Sequence, residues 1–497
     1  MSAHYRERSE VQFALPDSLR QVGTGAAVGL AIGAVTAYSA QYALMLAVVG
    51  VALATILRTW ERVTYTALFV CLAVPLGGGF TQVAHLDIHA GGVSMALPLL
   101  LPWIVLIATL VSLQWLVGWP ALWRGSPAYA SFWVALLGAL CVAALIGAGT
   151  NGLRSALRDA EYLLLYSWPL AILPFSRLAR RVMVPRIVGV IVTAAVMCSV
   201  VDIGVFAIPG LRERVFGQTI WAGSTRVGFG NMSMLNLALP LLIALLVRHM
   251  IPRRWRGLGW LGALAMVAAL ALALERSSIA AIFFTFLLMT LYPLLRRAPW
   301  NAGMILRGIV AIAFVAVLIG GALYLSGSSR VQAAVSAIPS RVASLTSPTK
   351  DAAWQTRAQT NKAAWAQWGE SDQTRVVGLG MGSNLGLYTP SGQEASTGSF
   401  VDNVWATAAV KGGLILVVAL AGYLVACWGV FARAWRRATD EFERTVWLTC
   451  TLAFPGFLFE TTYVTAHLLF TPSVVVGFTT LATVAALAKP KQVHSGA

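Results

Sequence analysis

Residues 258–274 read LGWLGALAMVAALALAL, residues 275–278 read ERSS, and residues 279–295 read IAAIFFTFLLMTLYPLL. Wound as an α-helix, either apolar run rises about 25 Å, close to the roughly 30 Å hydrocarbon core of a bilayer. Only the short polar ERSS stretch separates the two runs. The pattern predicts a helical hairpin through a membrane, because a chain in hydrocarbon must satisfy its own backbone hydrogen bonds.

The same grammar extends in both directions. Apolar stretches of similar length recur from Val22 to Leu487 in a chain of 497 residues that is 58% hydrophobic and 11% charged. Soluble domains carry about 25% charged residues, and a soluble fold has too little interior to bury so much apolar surface. The sequence therefore predicts an all-α polytopic membrane helix bundle of about 14 spans. The spans are placed at 21–38, 41–57, 63–79, 94–117, 128–149, 160–176, 187–207, 233–247, 258–274, 279–295, 308–326, 404–431, 446–463 and 468–488. The first is expected to stay as a helix and not to be removed as a signal peptide, since further spans follow at once and no small-residue cleavage site closes it. Cys71, Cys141, Cys198, Cys427 and Cys450 all fall inside spans, where a thiol is a small hydrophobe. No disulfide, metal site or cofactor is expected.

The net charge of +17, from 36 Lys and Arg against 19 Asp and Glu, is spread between the spans and forms no single patch. That distribution marks membrane orientation, and no nucleic-acid partner is expected. With the N-terminus inside, the cytoplasmic turns carry Arg58 and Arg62; Arg124; Arg177, Arg180, Arg181 and Arg186; Arg248, Arg253, Arg254 and Arg256; Arg296, Arg297 and Arg307; Arg433, Arg436, Arg437 and Arg444; and Lys489 and Lys491. The expected location is a bacterial inner membrane, with both termini cytoplasmic. The outer segments 38–41, 81–92 and 461–467 contain no Lys or Arg.

Four outer segments break the rule: Arg154 and Arg158; Arg212, Arg214 and Arg226; Arg276; and a mixed-charge stretch from Ser326 to Phe400. Snorkelling to headgroups or pairing with Asp159, Glu161 and Glu213 accounts for Arg154, Arg158, Arg212 and Arg214. The same four are candidate substrate contacts. Arg276 sits at the membrane boundary with almost no loop around it, where an ionisable group is a functional candidate by default. Arg226 precedes Gly228 and Gly230, which let backbone approach a ligand closely. A guanidinium fork suits the paired oxygens of a phosphate, so an anionic, lipid-linked diphosphate is the expected ligand.

The organisation that follows is an N-terminal transmembrane bundle (1–325), a large periplasmic loop domain (326–403), C-terminal transmembrane helices (404–488) and a cytoplasmic tail (489–497). Within the loop, Asp351 to Gly369 reads as an amphipathic helix with Trp354, Ala358, Trp365 and Trp368 on one face, suited to packing on the membrane surface. Gly378, Gly380 and Gly382 are expected to form a flexible turn; alone they are a weak sign of phosphate binding. His85, Asp87 and His89 alternate as metal ligands on one face of an extended segment would, but with no fourth ligand evident a surface loop is the favoured reading. His467 is read as structural.

The order of these features carries a resemblance. Arg226 ahead of Gly228 and Asn231, Arg276-Ser277 between two spans, Arg357 ahead of Trp365 and the glycine triplet, then Asp402-Asn403 with Gly412-Gly413 downstream, resembles the O-antigen ligase and polymerase superfamily (WaaL and Wzy) over roughly residues 130–430. The resemblance implies a metal-independent glycosyltransferase at the periplasmic face, taking glycan from an undecaprenyl-diphosphate-linked donor, with membrane lipids and a chain-length regulator as further partners. Ligases of the family place a histidine directly before the asparagine at the end of the loop. Asp402 stands there in this chain, which is closer to polymerases of secreted polysaccharides.

Such a transfer builds negative charge on the departing diphosphate, and fixed arginines would stabilise it, typically by about 10²- to 10³-fold per donor. The loop contains no Asp-x-Asp pair for a divalent ion. Asp402, Arg226 and Arg276 are the candidate catalytic residues, Asp402 orienting or deprotonating the acceptor hydroxyl. Arg154, Arg158, Arg212, Arg214, Arg357 and Asn403 are the candidate substrate contacts. Asp402 is also a candidate helix N-cap. A ligase acting on lipid A-core and a flippase of lipid-linked saccharides are the alternatives; a transporter should show repeated halves with broken helices.

Overall fold

The computed structural model describes residues 60–73, 85–90, 93–113, 115–178, 180–207, 232–273, 276–295, 300–310, 352–398, 400–464 and 471–487. These residues are predominantly helical. The first half contains α1 (Trp60–Ala73), a hairpin of β1 (His85–Ala90) and β2 (Val93–Ala96), α2 (Leu97–Val111), α3 (Trp115–Gly125), α4 (Pro127–Thr150), α5 (Leu153–Leu163), α6 (Pro169–Ile172) and α7 (Arg180–Ala207). There follow α8 (Leu235–Val247), α9 (Arg253–Ala273), α10 (Arg276–Leu295), α11 (Ala352–Trp368) and α12 (Asp372–Val377). A second hairpin, β3 (Leu385–Tyr388) and β4 (Glu394–Gly398), precedes α13 (Val404–Arg437), α14 (Glu441–Phe459) and α15 (Pro472–Ala486).

Among the described residues four helices are long and apolar enough to cross a membrane: Pro127–Thr150, Val182–Gly204, Arg253–Leu272 and Val404–Arg437. Shorter apolar helices cover Pro102–Val111, Leu235–Val247, Ser277–Pro293 and Ser473–Ala486. Large apolar side chains on several of them face outward, among them Leu145, Phe283 and Val425. In water such a surface would be an aggregation liability; against lipid it is the ordinary solvent-facing side. These apolar helices mark a membrane protein.

The expected spans at 128–149, 187–207, 258–274, 279–295 and 404–431 coincide with α4, α7, α9, α10 and α13 to within several residues. Two expectations need correction. The span placed at 160–176 is not one helix: α5 ends at Leu163, 3-10 turns occupy Leu164–Ser167 and Leu173–Arg177, and only the single turn of α6 lies between. Such irregular backbone is tolerated at membrane depth when protein surrounds it. Leu165, Tyr166, Trp168 and Leu173 are buried, and the Trp133 indole donates to the Tyr166 carbonyl. The span placed at 94–117 is likewise β2, then α2, then a break at Ser112–Leu113 before α3; Leu113 has a positive φ of 55°. The spans at 21–38 and 41–57 lie outside the described residues.

The core is built on α4 and α13, which pack along their length. Gly422 of α13 lies so close to the Phe132 ring that a Cβ there would come within 2.3 Å of it. Tyr129 and Tyr423 stack obliquely with centroids 5.6 Å apart, and Tyr129 shares a 3.0 Å hydrogen bond with Thr483 of α15. Trp168 donates to Thr480, also on α15. The buried Tyr129 phenol and the Trp133 and Trp168 indoles thus each have a hydrogen-bond partner, as their desolvation requires.

Candidate functional site

The chain between α11 and α13 forms a compact unit seated on one end of the α4–α13 pair. Helix α11 appears where the amphipathic pattern predicts it, but its aromatic face divides. Ala364 is buried and Trp368 half-buried against Leu385, Val401, Ala406 and Val410, whereas Trp354 and Trp365 are 54% and 38% exposed. Helix α12 begins with a reciprocal capping box between Ser371 and Thr374, which satisfies otherwise orphaned backbone donors. Its C-terminal glycine opens the triplet segment.

That segment is not a free turn. Gly378, Gly380 and Gly382 all have φ between 74° and 84°, a region closed to most side chains, and all three are buried. Cβ atoms on them would come within 2.6 Å of the backbone at Gly412, Gly147 and Ser155 respectively. The segment between them is stitched to both helices: Leu379 N donates to Val410 O, Gly380 N to Lys411 O and Met381 N to Ala143 O, and the Asn151 amide donates to Leu379 O and Met381 O. Gly413, at φ 63°, kinks α13 there and touches the Val376 backbone. The glycines permit backbone-on-backbone packing, which accounts for their spacing without a phosphate.

A buried ion pair locks this junction. Lys411 Nζ lies 2.5 Å from Asp159 Oδ2, with side-chain exposures of 1% and 0%. The same carboxylate oxygen accepts from Gly382 N at 2.6 Å, and Lys411 also donates to Ser383 O at 3.2 Å. The ammonium lies 5.1 Å from the Phe400 ring centroid, a cation–π distance. One ion pair thus joins α5, the glycine segment and the first turns of α13.

In the same unit Arg357 of α11 donates to Asp402, Nε to Oδ2, at 2.9 Å. The two are 45 positions apart in sequence and remain 35% and 45% exposed, so the pair borders open space and is accessible to a ligand. Helix capping belongs to the neighbour: Asn403 Oδ1 accepts from Trp405 N and Ala406 N. This corrects the N-cap reading of Asp402 and commits the Asn403 carbonyl to the helix. Arg154 and Arg158 are exposed on α5, with Arg158 Nε 4.0 Å from Asp159. Asp159 is itself held by Lys411.

Arg276 is the first residue of α10; Arg212, Arg214 and Arg226 lie outside the described residues, as do Asp351 and His467. His85, Asp87 and His89 do fall on a strand, β1, paired antiparallel with β2. Among the described residues no group of three or more His, Cys, Asp or Glu side chains is placed to hold a metal ion.

A second polar centre was not anticipated. Glu460, fully buried, opens the π-helical turn Glu460–Val464 after α14. Its Oε1 accepts from Ser233 Oγ at 3.0 Å and Ser278 Oγ at 3.3 Å, and its Oε2 from Asn236 Nδ2 at 3.3 Å. The signal in the sequence was a carboxylate inside an apolar span, which by itself marks a candidate site.

Compared with known proteins, the chain matches no family model and no curated sequence.

Proposed function

We propose that this chain is a polysaccharide polymerase, a metal-independent glycosyltransferase that moves glycan from an undecaprenyl-diphosphate-linked donor to a lipid-linked glycan acceptor at the periplasmic face of the inner membrane. The observation that carries the reading is the Arg357–Asp402 contact. Two features that the family resemblance orders far apart in sequence meet at a half-exposed point on the polar unit, beside the start of an apolar helix.

In this reading Asp402 orients the acceptor hydroxyl and takes its proton as the acceptor oxygen bonds to the anomeric carbon. The bond from that carbon to the diphosphate oxygen breaks with its electrons, and arginine charge stabilises the departing anion. Arg357 holds the Asp402 carboxylate in place through its Nε.

The flippase alternative draws on one feature, the discontinuous stretch 164–177, since broken helices line many transport sites. Here the broken stretch is filled by Leu165, Tyr166 and Trp168, which favours packing. Purified protein in liposomes, given an undecaprenyl-diphosphate oligosaccharide as the sole glycan, separates the readings. A ladder of lengthened glycans is expected. Movement of donor across the bilayer without lengthening would overturn the proposal in favour of transport.

A further inference from the structure

The open side of α11 borders the Arg357–Asp402 pair. Thr360 and Ala364 are buried on the rear of the helix, where Thr360 Oγ1 accepts from Tyr388 N of β3 and the Gln367 amide donates to Asn384 O. Trp354, Ala358, Lys362 and Trp365 are exposed, and their helical spacing puts them on one stripe. Trp354 is one turn from Arg357, a neighbouring position on the helix surface. The two indoles lie about 16 Å apart along the axis, a span that takes several linked sugar rings and not one.

Trp365 is braced from behind. Its ring meets Trp368 edge-on with centroids 5.6 Å apart, and the Trp368 indole donates to Arg375 O at 3.1 Å. An indole held in this way offers a large rigid contact that loses little conformational entropy on binding. A helix that lies on a membrane instead buries a broad apolar face and turns a strongly basic one to water. Helix α11 contains no Leu, Ile, Val, Met or Phe, and Arg357 and Lys362 are its only charges. Two indoles separated by Ala358, with exposed Lys362 and half-exposed Gln359 beside them, suit a ligand that combines apolar faces with hydroxyls. A sugar chain is such a ligand: the C–H bonds of a pyranose face meet the negative π-face of an indole, and its hydroxyls hydrogen-bond to the ammonium and the amide.

We propose that the Trp354–Trp365 face of α11 binds the glycan chain of the acceptor, with several sugar units stacked along it while the reacting end lies at Asp402. The proposal rests on the transfer reading above and names the part of the substrate that this surface takes.

Two measurements test it on Trp354→Ala, Trp365→Ala, Trp354→Tyr and Trp354→Leu. One is elongation in liposomes of acceptors carrying one repeat or several. The other is binding of lipid-free oligosaccharides, released from the wild-type product ladder, to the detergent-solubilised protein. Each Ala variant should bind the multi-repeat oligosaccharide about 3- to 10-fold more weakly. Its acceptor KM should rise more for long acceptors than for a single repeat, so the ladder ends at shorter lengths. Trp354→Tyr keeps a π-face and should recover most of the loss, whereas Trp354→Leu keeps only apolar area and should not. If Trp354→Ala does not fold, the contrast between Trp354→Tyr and Trp354→Leu decides. Unchanged oligosaccharide binding in both Ala variants, or Trp354→Leu as effective as Trp354→Tyr, would overturn the glycan platform in favour of a membrane-facing role while a wild-type ladder leaves the transfer reading intact. A wild type that makes no ladder would overturn both.

Discussion

Two ion pairs that look alike on paper do different work. Arg357–Asp402 is half-exposed, and pairs of that kind contribute about 0–1 kcal/mol, so its geometry matters more to a ligand than to the fold. Asp402→Asn should therefore leave thermal stability nearly unchanged while slowing polymer formation by about 10²-fold or more; unchanged chain length and rate from the folded variant would remove Asp402 from the site. Asn403→Ala should show the complementary pattern, losing about 1 kcal/mol of stability with the cap. Lys411–Asp159 is sealed from solvent. Lys411→Met strands a buried carboxylate and should cost about 3–5 kcal/mol in an unfolding measurement, much of which Asp159→Asn in the same chain should recover. The Asn side chain still accepts from Gly382 N, which the single defect does not disturb. None of these pairings was legible beforehand, since hydropathy and local spacing carry no information about partners 45 or 252 positions apart.

At the scale of elements, long apolar helices were legible because their length and composition are local properties. The break across 164–177 was not. Pro169 and Pro174 fall there, yet Pro185 and Pro240 sit inside α7 and α8 without ending them, as membrane helices tolerate a proline wherever the freed carbonyl finds another partner. Sequence alone does not say which proline will be rescued. The glycine triplet was visible, but its role was not, since a free turn and a buried backbone contact use the same residue. The two are separable by substitution. Gly413→Ala would force a β-carbon into φ 63° and against Val376, and should cost about 2 kcal/mol or more in thermal unfolding. Gly138→Ala, on α4 with open space around it, should be neutral or gain about 0.5–1 kcal/mol. Equal effects at the two sites would contradict the packing role of the kink. Glu460 was readable as a charge inside a span, though its three partners were not.

Over the whole molecule, the described helices form an apolar body with outward-facing Leu145, Phe283 and Val425 and a polar unit, residues 352–403, clamped to one end of it. The proposed function depends on which side of the membrane that unit occupies, since the donor glycan and the arginines that break the charge rule are both expected outside. Ser391, exposed at the tip of the β3–β4 hairpin, reports that side directly. Cys71, Cys198, Cys427 and Cys450 are buried and Cys141 is exposed, so Ser391→Cys in a Cys141→Ala background offers one accessible thiol among the described residues. A membrane-impermeant maleimide should label it in intact cells with the outer membrane opened. Labelling only after the inner membrane is lysed would place the Arg357–Asp402 site in the cytoplasm and contradict the account.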